Sequence, residues 1–253
     1  GLELAACRGE EGEHAIGFAE AEARGDDRQR RSASTCRHAA QGSIALHLRR
    51  VSARPGQRRG GRVSEHQRDG AGDLLSLDLD ELVAATDRAI LVLLDAWEEP
   101  ITAPMYEQIR YHLGYADPAA RPGKRMRPLL GLLAYASLSP DWDRALPGAA
   151  AVELGHNFSL VHDDLPALDD DAMRRGMPTT HVAYAEDIAI LVGDLAEVFA
   201  DRLLTTAPPA AFAVWNELKI ELNIGQYLDL LGSAARRFDE GHVVRVMSMK
   251  TAR

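Results

Sequence analysis

Apolar runs long enough to span a bilayer are missing. The longest, residues 89–94 and 129–136, are short and amphipathic, against the roughly 18 to 20 residues that a crossing needs. The chain therefore reads as soluble. Positive charge is also in short supply: Lys and Arg number 29 against 38 Asp and Glu, for a formal charge of −9. A general nucleic-acid binder is excluded, because phosphate backbones are held by clustered cations. Any phosphate site must be local. Cysteine occurs only as Cys7 and Cys36, in no C-x-x-C pairing, which fits a reducing, cytoplasmic setting. No hairpin signal and no internal period is found, so all-β and repeat architectures are set aside.

The 253 residues, 46% of them hydrophobic, are enough to bury a sizeable core. Composition divides them unevenly. Residues 1–72 hold 13 Arg, no Lys and 10 acids, with many Gly, Ser and Ala. Little apolar periodicity runs through them, and this is the pattern of a disordered segment. They lack the apolar core of a signal peptide, and their Glu content argues against a transit peptide. An Arg-rich arm for an anionic surface or partner is the sharper alternative. Residues 73–253 carry the remaining 16 basic and 28 acidic side chains. The chain begins at Gly1 and its first methionine is Met105, which points to a processed chain, a fragment or a misplaced start.

From Leu74 onward apolar residues recur at helical spacing, as in Leu79, Leu82, Val83, Ala89, Ile90, Leu93, Leu94 and Trp97. Pro100 and Pro104 break that run. Further helices are expected from Pro128 through Tyr135, from Pro147-Gly148 to about Asp164, and over 181–204, 212–231 and 239–251. The fold class is all-α, an orthogonal or bundle-like packing of long helices.

Two clusters carry chemistry. In His162-Asp163-Asp164-Leu165-Pro166-Ala167-Leu168-Asp169-Asp170-Asp171, five acids fall within nine residues, and Arg174-Arg175-Gly176 follows. The first two acids close an apolar helix at the negative end of its dipole, where anions are disfavoured by up to about 1 kcal/mol. Oxygen ligands without Cys or His suit Mg²⁺ shared with a diphosphate. A solvated acidic loop or a capping set is the plainer reading. Arg121-Pro122-Gly123-Lys124-Arg125-Met126-Arg127-Pro128 is a basic loop running into a helix N-terminus, where free N–H groups, Lys124 and Arg127 would receive a second diphosphate. Alone it would be a solvated turn.

The order G-K-R-x-R-P, a helix with His156, D-D-x-x-x-x-D and R-R-G-x-P-T, followed by Gly193-Asp194, Gly225-Gln226 and Lys250-Thr251, resembles the trans-isoprenyl diphosphate synthase family. The resemblance runs from about Asp78 to Arg253. It implies an isoprenoid synthase-like helical domain over 73–253 and a Mg²⁺-dependent prenyltransferase. Such an enzyme condenses isopentenyl diphosphate with an allylic diphosphate into a short-chain prenyl diphosphate, and works as a homodimer. By the same resemblance Asp163, Asp164 and Asp169 would hold the metal and Arg174 the allylic diphosphate. Gly123, Lys124, Arg127, His156 and Arg175 would bind isopentenyl diphosphate. Lys250 and Thr251 would engage the allylic group, with Gln226 nearby. Phe158, five residues before Asp163, would floor the cavity and favour a fifteen-carbon product, although His156 and Phe158 also read as core residues. Ile188, Ile190, Leu191, Val192, Leu195, Val198 and Phe199 form the expected dimer face.

The family's second Asp-rich motif is not found: Asp78-Leu79-Asp80 and Asp229 do not supply it. A chain truncated before that motif is the expectation. A noncatalytic partner subunit is the alternative, and a terpene cyclase a further one, which the basic loop disfavours.

Overall fold

The structure, a computed structural model, describes Leu74 and residues 77–116, 123–236 and 239–250. The segment 1–72, Arg121, Pro122 and Thr251 lie outside the described residues, and so does the disorder expected of that segment.

Helix α1 (Leu79–Trp97) starts where the Asp78 carboxylate accepts from the amides of Asp80, at 3.0 Å, and Glu81, at 3.4 Å. Its buried stripe of Leu82, Ala85, Ala89, Ile90, Leu93 and Leu94 follows the helical period. Helix α2 (Ala103–Leu113) was not expected, because Pro100 and Pro104 read as breakers. Pro104 instead sits in the first turn, where its missing N–H costs nothing, and Gly114 closes the helix at φ 80°. Helix α3 (Met126–Ala136) begins two residues earlier than expected, with Pro128 again in the first turn.

After a short 3₁₀ turn over Trp142–Ala145, α4 (Leu146–Asp163) runs through the centre of the core. Ala149, Ala150, Ala151, Leu154, Gly155 and Val161 are buried on it, and it packs on α1, α2, α3 and, most extensively, α6. Small residues allow that crowding from several sides at once.

One correction concerns local structure. Strands β1 (Met173–Arg174) and β2 (Met177–Pro178) pair antiparallel around Arg175 at φ 55° and Gly176 at φ 84°. Two central residues with positive φ give the turn sense of a type I′ hairpin. Two-residue strands are too short to show alternation, so no hairpin signal was legible. The helix expected over 181–204 is likewise divided, into α5 (Thr180–Ala183) and α6 (Glu186–Leu204). Glu186 and Asp187 stabilise the new N-terminus electrostatically. Helices α7 (Pro209–Ala234) and α8 (Glu240–Lys250) pack on each other. The other regular elements among the described residues are helical, and no helix among them is long and apolar enough to cross a membrane.

Gly155 marks the tightest point of α4, since a Cβ there would run into the Trp215 ring, itself only 6% exposed. Gly155→Ala should lower the thermal midpoint followed by far-UV circular dichroism. Overpacking costs about 1–3 kcal/mol, more than the gain of up to about 1 kcal/mol from alanine's helix propensity.

Candidate functional site

The C-terminal end of α4 is folded back on itself. The Asp169 amide donates to the Asp163 carbonyl at 2.8 Å, and the Asp170 amide to the Leu165 carbonyl at 3.1 Å. Asp170 takes φ 53° to make the turn, a conformation that Asp tolerates better than most residues. Asp163 and Asp169 are thereby brought to one place. Asp164 goes elsewhere: it is 1% exposed and both its oxygens accept from Arg174, with Nε at 2.9 Å and 2.8 Å and Nη2 also in contact.

Gln226 on α7 donates to Asp163 Oδ1 at 2.9 Å. Lys250 at the end of α8 donates to Asp229 Oδ2 at 2.7 Å, one turn after Gln226. Burial raises the Asp163 carboxyl above the ordinary carboxylate range, with Asp169 and Asp164 adding to the effect and Lys250 and Arg174 opposing it. Among the described residues no group of three or more His, Cys, Asp or Glu is disposed to hold a metal ion. The expected trio of Asp163, Asp164 and Asp169 is divided because the Arg174 fork takes the second carboxylate inward.

His162 caps the same corner. Its Nε2 lies 3.1 Å from the Ile190 carbonyl, and its ring occupies the space that a Cβ at Gly193 would need. Phe158, half-buried, meets His162 edge to face at 5.7 Å between centroids.

The second cluster lies further back along α4. Arg127 Nη1 is 3.1 Å from His156 Nε2. Burial first, then Arg127 and Arg175, push the His156 pKa down to about 4, so near neutral pH the imidazole is uncharged and accepts that bond. Arg175 arrives from the hairpin, half-buried, its pKa lowered by burial and by Arg125. Lys124 is exposed at the rim. Gly123 completes the group, with no side chain between the loop and Arg175.

The foundation of this cluster was missed in sequence. Arg125 is 2% exposed and left-handed at φ 50°. It donates to Asp87 at 2.6 Å, Glu153 at 3.0 Å and the Leu113 carbonyl at 3.0 Å. Its Cζ sits 5.1 Å from the Tyr115 ring centroid. The available signal was Glu153, an acid in the middle of an apolar helix, which requires a buried cation.

The sequence model of the polyprenyl synthetase family matches residues 113–253, a span that takes in both clusters, the hairpin and α3 to α8. The chain belongs to the polyprenyl synthetase family. Among curated relatives, a geranylgeranyl diphosphate synthase from Cyanophora paradoxa is 44% identical over 40% of this chain and 32% of its own length. A farnesyl diphosphate synthase from Geobacillus stearothermophilus is 36% identical over 52% of this chain and 43% of its own. Of solved structures, a geranylgeranyl pyrophosphate synthetase from Geoglobus acetivorans aligns with a TM-score of 0.60 at 30% identity, covering 68% of this chain and 55% of that one. A geranyltranstransferase from Thermotoga maritima aligns at 0.57 and 29%, covering 68% and 63%. The chain thus spans about a third to two fifths of the first curated polyprenyl synthetase relatives it matches.

Within this polyprenyl synthetase domain the basic-loop residues divide sharply by role. Arg125→Met should cost about 3–5 kcal/mol in urea unfolding, because Asp87 and Glu153 lose the cation that compensates them. Lys124→Ala, exposed and without an ion pair among the described residues, should stay within about 0.5 kcal/mol of the parent.

Proposed function

We propose that the chain takes part in condensing isopentenyl diphosphate with an allylic diphosphate to give a short-chain prenyl diphosphate. The observation that carries this reading is the pair of anion sites built oppositely along α4 and joined by consecutive arginines. At the helix end, acids gather where only an added cation would make a diphosphate welcome. Seven residues earlier, Arg127, Arg175, Lys124 and a neutral His156 can receive a diphosphate without a metal.

The donor set at the helix end fits Mg²⁺: it is all oxygen, and burial leaves the Asp163 carboxylate short of the hydration that a bound cation would replace. Asp163 and Asp169 would hold the ion, which supplies charge neutralisation for a departing diphosphate. Asp164 serves instead to aim Arg174, whose Nη1 is left for the same diphosphate. Gln226 orients Asp163, and Lys250, held by Asp229, adds positive charge beside it. In the reaction the allylic C–O bond breaks with its electrons leaving on the diphosphate, the double bond of isopentenyl diphosphate attacks the cation, and a proton is lost. No protein nucleophile is needed.

Phe158, about 7.5 Å along the helix from Asp163 at about 1.5 Å per residue, is the proposed floor for the growing tail. Relatives named for farnesyl, geranylgeranyl and geranylfarnesyl products all align, so the fifteen-carbon assignment rests on that ring and on the four residues between Asp164 and Asp169. A second copy is proposed to cover Ile190, Leu191 and Val198, which α6 exposes by 45%, 54% and 59%. The face is narrower than expected, since Val192 and Phe199 are buried in the chain's own core.

Calorimetry with a non-hydrolysable allylic thiodiphosphate should show binding that needs Mg²⁺ and that Asp163→Asn weakens. Equal affinity in excess chelator would contradict the metal assignment. Isopentenyl diphosphate should bind without metal, and Arg127→Lys should weaken it about tenfold, the worth of one charge-assisted hydrogen bond. A loss of the same size for the allylic analogue would overturn the division into two sites.

A further inference from the structure

The Arg175 guanidinium is gripped from behind. Its Nη1 donates to the His112 carbonyl at 3.1 Å and its Nη2 to Asn157 Oδ1 at 3.2 Å. Chemistry fixes which end of Asn157 it meets. The other amide atom lies 2.8 Å from the Glu153 carbonyl and 2.9 Å from Glu153 Oε1. A carbonyl and an ionised carboxylate only accept, so that atom is the NH₂ and the oxygen must face Arg175.

The Glu153 carboxylate is in turn immobilised by Arg125 Nη1 at 3.0 Å. Arg125, Glu153 and Asn157 are each no more than 3% exposed, so none can swing out to water. The result is a one-way line of orientation, Arg125 to Glu153 to Asn157 to Arg175. At its far end the guanidinium lies against the basic loop, for a Cβ added at Gly123 would be 3.1 Å from Arg175 Nη2.

We propose that Asn157 is a positioning residue for the basic diphosphate site: it holds the Arg175 guanidinium over Gly123 and leaves the remaining N–H donors for the diphosphate. This rests on the reading of that site as the one for isopentenyl diphosphate. An arginine tethered by one carbonyl alone would rotate about its last bonds and bring less of its fork to bear. Asn157 touches no substrate in this account and acts only through Arg175.

The test is calorimetry of isopentenyl diphosphate on the whole chain, without metal, for the parent, Arg127→Ala, Asn157→Leu, Arg175→Gln and the double variant Asn157→Leu/Arg175→Gln. Failure of the parent to bind, or no loss in Arg127→Ala, would sink the reading of the site itself. With that reading standing, Asn157→Leu should weaken binding about tenfold and should add nothing in the Arg175→Gln background. Parent affinity in Asn157→Leu, or losses that simply add in the double variant, would overturn the positioning role. Should Asn157→Leu fail to fold, Asn157→Ser carries the same test. Its hydroxyl can bond the Glu153 carbonyl one turn back but is too short to reach Arg175.

Discussion

A guanidinium withdrawn from water costs several kcal/mol unless acceptors replace its hydration. Around Arg125 they come from three directions: Asp87 on α1, the Leu113 carbonyl at the end of α2, and Glu153 on α4. Arg125 itself opens α3 as its left-handed cap. Four helices therefore converge on a single charge. Tyr115 closes the arrangement, its ring on the guanidinium and its hydroxyl donating to Asp87 at 2.7 Å, and burial pushes that hydroxyl's pKa up. The basic loop has one fixed end because of this knot, and Lys124 and Arg127 on either side of it inherit their places.

From that anchor the two ends of the site acquire opposite fields along one helix. His156 and Asp163 are seven residues apart on α4, about 10 Å at about 1.5 Å per residue. At the first, burial and then neighbouring arginines keep the imidazole neutral. At the second, burial, with the neighbouring carboxylates adding to it and Lys250 and Arg174 opposing it, makes Asp163 hold its proton more firmly than usual. Burial is the first cause of both shifts, and like charges add to it at each end, arginines around His156 and Asp169 and Asp164 around Asp163. Arg174 and Asp164 show the contrary case, a pair satisfied within the protein.

Sequence patterning located most helices because apolar periodicity survives wherever one face is buried, as in α1 and α6. It failed where punctuation was ambiguous. Pro104 starts a helix with the same residue type that ends one, and the distinction rests on Gly114 ten residues later. The hairpin escaped because its information lies in two positive φ angles, which Arg175 does not advertise. At the site, the acids and bases that would meet a ligand were visible as charge clusters. The residues beneath them were not: Asn157 and Glu153 are single polar letters in an apolar helix, and their partners from elsewhere in the chain are Arg125 at the start of α3 and Arg175 in the hairpin. Asp163 and Asp164 are adjacent and identical in type, yet one faces Gln226 on α7 and the other is buried against Arg174.

The hairpin has a consequence of scale. Arg174 and Arg175 are successive residues, so their Cα atoms stand about 3.8 Å apart, and the chain passes between them from strand β1 into the left-handed turn at Arg175. One turns to Asp164 at the end of α4 and the other to Asn157 further back. A single peptide unit thus acts as a ruler between the two ends of the site. Its length cannot stretch, so the two guanidinium groups stay tied to one short stretch of backbone whatever each of them grips.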